Sequence, residues 1–161
     1  MSVQFIVAVI TSALIVDMAW MTALVTHGLT TKTLRQWYTE FQLGAVLSDV
    51  TSASACILIV SLWLPLQANF MSIARFCSVA VGFQMVHDLA LYELSKHSSS
   101  RILSLFRKYG EENGALVLAA DASIIITTAL LALVLQTLPY TTLLVLLVTA
   151  LYVLPYLLYS V

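Results

Sequence analysis

Five stretches of this chain are apolar for about 20 residues or more, the length a helix needs to cross the hydrocarbon core of a bilayer. They run over residues 3–26, 41–64, 72–94, 114–136 and 140–161. Each of the first four contains acid, as Asp17, Asp49, Asp88 and Asp121; the fifth has no charge at all. This pattern predicts an all-α membrane protein of five transmembrane helices in one bundle, residues 1–161. Composition agrees: 61% of the 161 residues are hydrophobic and 9% are charged, against roughly 25% charged in soluble domains. A net charge of −1 without a basic stripe argues against nucleic acid as a partner. Cys56 and Cys77 sit inside apolar runs and read as small buried hydrophobes. No Lys or Arg precedes the first run, which therefore reads as a retained span and not as a removable signal.

The basic residues set the expected orientation. Lys32 and Arg35 lie between the first two spans, and Lys96, Arg101, Arg107 and Lys108 between the third and fourth. Five alternating spans put both loops on one face. The positive-inside rule makes that face cytosolic, with the N-terminus outside and the C-terminus on the basic-loop side. Residues 29–40 and 99–110 read as short interfacial segments. In the second, Ile102, Leu105, Phe106 and Tyr109 share one helical face, the pattern of an amphipathic helix lying in the headgroup plane, with Gly110 as its stop. The first, with Trp37 and Tyr38 beside its cations, reads as a membrane-surface anchor. No internal repeat and no phosphate-binding or catalytic serine motif is evident.

Helix rise places the four acids at similar depth, about 13, 12, 9 and 10 Å from the basic-loop face for Asp17, Asp49, Asp88 and Asp121. Each costs roughly 2.5–3.5 kcal/mol at mid-membrane, so they are expected to point inward, toward one another or toward a ligand. Gln84 shares a stripe with Asp88 and Tyr92, and Trp20 follows Asp17 by one turn. His87 is the basic side chain at this depth. Four carboxylates this close cannot all stay ionised without a cation, a proton or hydrogen-bond donors. Helix-to-helix hydrogen bonding by neutral acids is the bland alternative.

Three functional readings follow. In the first, a tetrapyrrole sits in the bundle, its metal bound axially by His87, walled by Trp20, Trp63, Phe76, Phe83, Met85 and Tyr92. In the second, the acid layer is a proton or cation pathway. Against that stands the lack of charged residues toward the other face. In the third, His87 and Asp88 act as a general base, or one His and several carboxylates hold a catalytic metal.

Four blocks carry a resemblance: Trp37–Val50, Gln84–Asp88, Phe106–Glu112 and Ala120-Asp121. They resemble small multi-span proteins of giant viruses that infect marine algae, the group of virus-encoded chlorophyll-binding proteins. The resemblance implies chlorophyll-type pigment as cofactor, light harvesting or pigment storage and photoprotection as role, and a host algal plastid or endomembrane as location. The ligand choice comes from the residues themselves. His87 is the expected axial ligand to magnesium, with Asp88 or another acid orienting its second nitrogen. Asp49 and Asp121 are secondary metal candidates, and Asp17, Gln84, Trp20 and Tyr92 complete the expected cofactor site. A homo-oligomer without enzymatic turnover, surrounded by lipid, is the expected assembly.

Overall fold

The computed structural model describes residues 1–28 and 30–160. The expected first residue of the first interfacial segment, Leu29, and the last of the fifth span, Val161, lie outside these. Seven helices follow in order: α1 (Val3–Thr26), α2 (Lys32–Phe41), α3 (Leu43–Trp63), α4 (Phe70–Lys96), α5 (Arg101–Asn113), α6 (Ala115–Leu135) and α7 (Tyr140–Leu158), with no strand among the described residues. Helices α1, α3, α4, α6 and α7 are long and apolar enough to cross a membrane. The chain is an all-helical, five-span membrane protein.

Local signals start several helices. The Ser2 hydroxyl accepts from the Phe5 amide at 3.2 Å, Thr31 from Leu34 at 3.3 Å, and the Asn69 side chain from Ser72 at 2.9 Å. Each satisfies an amide that the first helical turn leaves free. The Asn69 cap lets α4 begin at Phe70, and it runs to Lys96, longer at both ends than the 72–94 expected.

Two corrections concern the junctions of the interfacial helices with the spans. The expected stop at Gly110 is wrong: α5 continues to Asn113 and ends at Gly114, whose φ of +55° suits a residue without a side chain. Gly110 is small for another reason. A Cβ there would lie 3.2 Å from Cδ2 of Tyr92, so glycine lets α5 approach α4 closely. The second span begins at Leu43 instead of Phe41, because Gln42 breaks the helix with a φ of +45°.

These junctions reveal a repeat that the linear sequence conceals. Arg35-x-Trp37-x-x-Glu40 precedes Gln42 and Asp49; Arg107-x-Tyr109-x-x-Glu112 precedes Gly114 and Asp121, each residue 72 positions on. On the first spans, Asp17 and Trp20 correspond to Asp88 and Leu91, 71 positions on. The chain is thus two consecutive modules, α1–α2–α3 and α4–α5–α6, followed by α7. Each has a span, an amphipathic helix, a one-residue break at positive φ, and a second span. The helix packing has the same symmetry. Helices α1, α3, α4 and α6 form a ring in which every neighbour touches, and α2 packs against α5 across one end. Both modules run the same way, so the relating axis lies along the bundle, as in parallel-repeat membrane proteins.

Small residues make the ring tight. Ala8 and Ser12 on α1, with Ala129 and Ala132 on α6, are buried at the end of the ring away from α2 and α5, where small side chains let helices in lipid approach. At that same end the Gln4 amide donates to the carbonyls of Gln136 and Leu138 at 2.9 and 2.8 Å, tying α1 to the α6–α7 turn. Helix α7 packs against α1, outside the ring. The cysteines are free and buried.

Candidate functional site: an acidic cavity under two crossed helices

The ring encloses a cavity of about 450 Å³ near the end covered by α2 and α5. All four aspartates line it, one from each ring helix, and so do His87, Gln84 and Trp20. Seven of the eight residues expected at a site are therefore together. Tyr92 is not: its ring packs against Gly110 and beneath the Lys96 ammonium, 4.7 Å from the ring centre. Of the expected aromatic walls, Trp63, Phe76, Phe83 and Met85 also lie elsewhere. Phe76 is fully buried in the helix core, and the other three face outward.

Residues of the interfacial helices supply walls that the sequence reading assigned to the headgroup plane. Trp37, Tyr38 and Leu34 of α2 line the cavity, as do Ile102, Leu105, Phe106 and Tyr109 of α5. The amphipathic pattern was legible, but the apolar face is turned onto the bundle. A helix with one apolar face meets the same requirement on lipid or on protein, so periodicity alone does not separate the two.

The repeat governs the lining. Ala13, Asp17 and Trp20 are matched by Gln84, Asp88 and Leu91, and all six line the cavity. So do Asp49, Ser52 and Ala53 with their counterparts Asp121, Ile124 and Ile125. Leu34 and Trp37 are answered by Phe106 and Tyr109. Two copies of one surface thus face each other across the cavity.

The hydrogen bonds are less symmetric. The Trp37 indole donates to Asp49 Oδ2 at 3.1 Å. The Gln84 amide donates to Asp88 Oδ1 at 2.8 Å and to the Ser52 hydroxyl at 3.3 Å. His87 Nδ1 lies 3.1 Å from the same Asp88 oxygen, and its side chain is 40% exposed. The second oxygens of Asp17 and Asp88 are buried without a partner among the described residues. No Lys or Arg lines the cavity. Burial, together with the carboxylates of Asp17 and Asp49, holds the Tyr38 phenol well above its usual value. Burial first, then Asp121 and Asp49, pushes Tyr109 up to about 12. Both phenols therefore stay protonated through neutral pH.

Further buried polar groups lie beyond the acids, outside the lining of the cavity. The hydroxyls of Thr11, Ser12, Ser54 and Thr128 are buried and without partners among the described residues. They lie on α1, α3 and α6, between one and two helical turns beyond the acids. Among the described residues no three His, Cys, Asp or Glu side chains come together as a metal cage. That geometry gives the carboxylate-metal reading no support.

Above the cavity, α2 and α5 are tied crosswise. Glu40 on α2 pairs with Arg101 at the start of α5. Its counterpart Glu112 on α5 accepts from the hydroxyl and, at 3.1 Å, the backbone amide of Thr33 at the start of α2. The Gln36 amide and then Arg101 hold the Glu40 carboxyl below its usual value. No protein family, curated protein or solved structure matches the chain.

Proposed function

We propose that this protein binds a cationic solute in a membrane-embedded acidic vestibule and exchanges it against protons. The observation that carries this reading is the lining: four carboxylates from four helices share one cavity without a Lys or Arg. Buried carboxylates need positive charge, a proton or donors, and the donors present leave two carboxylate oxygens unserved. A solute cation and a proton are then alternatives at the same groups, which is the basis of coupling. The buried hydroxyls of Thr11, Ser12, Ser54 and Thr128 offer polar groups in the half of the bundle beyond the acids. With the basic loops facing the cytosol or its equivalent, as the positive-inside rule favours, the vestibule would open on that side.

Reconstituted into liposomes carrying an internal pH indicator, the protein should collapse an imposed pH gradient when cations are supplied outside. Asp17→Asn combined with Asp121→Asn should slow this by more than about tenfold, the loss of a single charged contact in free-energy terms. Gradient collapse that is equally fast in the double variant, or equally fast in empty liposomes, rejects the proposal.

One observation favours a second reading, the chlorophyll-type pigment. With Nδ1 of His87 against Asp88, Nε2 is the nitrogen left for axial ligation of magnesium. The fit is poorer in other respects. A chlorophyll with its ring and tail exceeds a cavity of this size, so it would have to lie mainly outside the ring, against the exposed side of His87. Bound pigment supplies light absorption; the chain would supply His87 as ligand and Asp88 as the group that orients it. Purified protein that carries red and Soret absorption bands, lost in His87→Ala, selects this reading over the vestibule.

A further inference from the structure

This inference rests on the vestibule reading and names its ligand. We propose that the cavity takes a short linear organic diamine, with one ammonium in each module.

The first argument is size and wall chemistry. At about 450 Å³ the cavity lies in the range of small-molecule sites, not of bare-ion sites. A dehydrated inorganic cation needs several oxygen ligands at once, and the described acids do not converge in that way. The wall also includes Trp20, Trp37, Phe106 and Tyr109, whose ring faces attract ammonium groups. Aliphatic residues such as Leu24 and Ile125 between them offer a surface for methylenes.

The second argument is duplication. The two carboxylate oxygens buried without a partner belong to Asp17 and Asp88, which are counterparts in the two modules. These residues are 4% and 7% exposed, and both line the cavity. Each interacts with the acid of its module's second span, Asp17 with Asp49 and Asp88 with Asp121, and Asp49 interacts with the acids of the other module as well. The ligand therefore meets two unserved carboxylate oxygens, one from each module, in a cavity whose other walls are largely apolar and aromatic. A molecule with two positive ends and a hydrocarbon centre complements both. A monoamine answers one site and leaves the other unserved.

The test is thermal unfolding of the purified, full-length protein in nanodiscs with putrescine, butylamine, potassium chloride or magnesium chloride at matched ionic strength. Putrescine should raise the midpoint at concentrations roughly a hundredfold below those needed with butylamine, because the second ammonium binds as part of the same molecule. Diamines of increasing spacer length should pass through an optimum, a readout that requires no variant. Asp17→Asn and Asp88→Asn should each reduce putrescine to the potency of butylamine. Equal potency of the two amines, or stabilisation that rises steadily with spacer length, overturns the diamine. If no amine binds but potassium or proton flux in liposomes still depends on the aspartates, the inference falls and the vestibule stands. If no cation of any kind is bound or carried, both fall.

Discussion

The two modules are built on one plan and differ where they meet the cavity. In the first, the aromatic pair Trp37-Tyr38 reaches down from α2, and the indole holds Asp49. In the second, Tyr109-Gly110 occupies the same places, and the missing side chain at Gly110 brings α5 against Tyr92 of α4. Packing between α4 and α5 is accordingly extensive, whereas α1 and α2 barely touch. The first module keeps a second aromatic residue, Tyr38, at the cavity wall. The second spends glycine on closing its own fold. Duplication thus supplies a cavity lined by both modules, and divergence divides the roles of one matched position: Tyr38 walls the cavity, and Gly110 closes α5 onto α4.

The equivalent acids Asp17 and Asp88 give the sharpest test of that division. Both keep one buried oxygen without a partner among the described residues, but Asp88 also receives the Gln84 amide and faces His87, which Asp17 does not. Asp88→Ala leaves the Gln84 amide with Ser52 alone and takes the partner from the imidazole, and should cost about 1–3 kcal/mol in thermal or denaturant unfolding. Asp17→Ala removes a group paired only with the Tyr38 hydroxyl and should cost less, although both variants lose cation binding. Equal destabilisation by the two would mean that Asp17 is as structural as Asp88.

Next in size is the scaffold contact itself. Gly110→Val forces branched carbons against the Tyr92 ring and should destabilise by roughly 1–3 kcal/mol. Tyr92→Ala in the same chain should recover part of the loss, since it removes the obstructing ring. At the counterpart position Tyr38 is itself buried in the core, so the change that tests its role at the cavity is Tyr38→Phe, which keeps the ring and should act mainly on cation binding. If Tyr38→Phe unfolds the protein as readily as Gly110→Val, the division of roles between the two positions is wrong.

The hinges should move stability less, and in opposite directions. Gln42 holds a positive φ that a side chain resists, at a cost of order 1–3 kcal/mol. Gln42→Gly relieves this and should stabilise by about 1 kcal/mol after the entropy of a more flexible unfolded chain. Gly114→Ala introduces the same strain into the second module and should destabilise by a similar amount. Midpoints of thermal unfolding that shift in the same direction for both would show that the two breaks are not equivalent.

Much of this architecture was legible from hydropathy and charge alone, because a bilayer enforces span length and penalises stray acids. The convergence of Asp17, Asp49, Asp88 and Asp121 followed from depth along each helix, a quantity that residue numbers carry directly. The cavity-facing role of Trp37, Tyr38 and Tyr109 did not follow. An amphipathic helix reads alike whether its apolar face meets lipid or protein, so the roof of the cavity looked like a surface anchor. The repeat escaped for a related reason. Lipid and core accept any apolar residue, so the spans diverged freely, and the match survives only at Arg, the aromatic, Glu and Asp. The positive φ of Gln42 was also hidden, since no side-chain preference predicts it. Spacing from Gln42 to Asp49 and from Gly114 to Asp121 is the signal that could have exposed both the hinge and the repeat.

The smallest effects belong to the crossed ties over the cavity, where the modules exchange equivalent contacts of unequal kind. Glu112 reaches the amide at the start of α2, a place where the helix dipole favours negative charge. Glu40 instead meets an exposed arginine, an interaction that solvent and salt screen. Because the Glu40 carboxyl is held below its usual value in the folded protein, its tie is complete above the ordinary carboxylate range and fades as pH falls through the lowered folded value. Glu40→Gln should consequently leave the unfolding midpoint almost unchanged at neutral pH, with any difference abolished by added salt and absent in strong acid. Glu112→Gln should retain a deficit in salt, since Thr33 loses a charged acceptor at a helix start. The measurement is the unfolding midpoint of both variants across salt concentration at two pH values. Should both respond identically to salt, the ties are alike in kind and the divergence between modules is confined to the cavity walls.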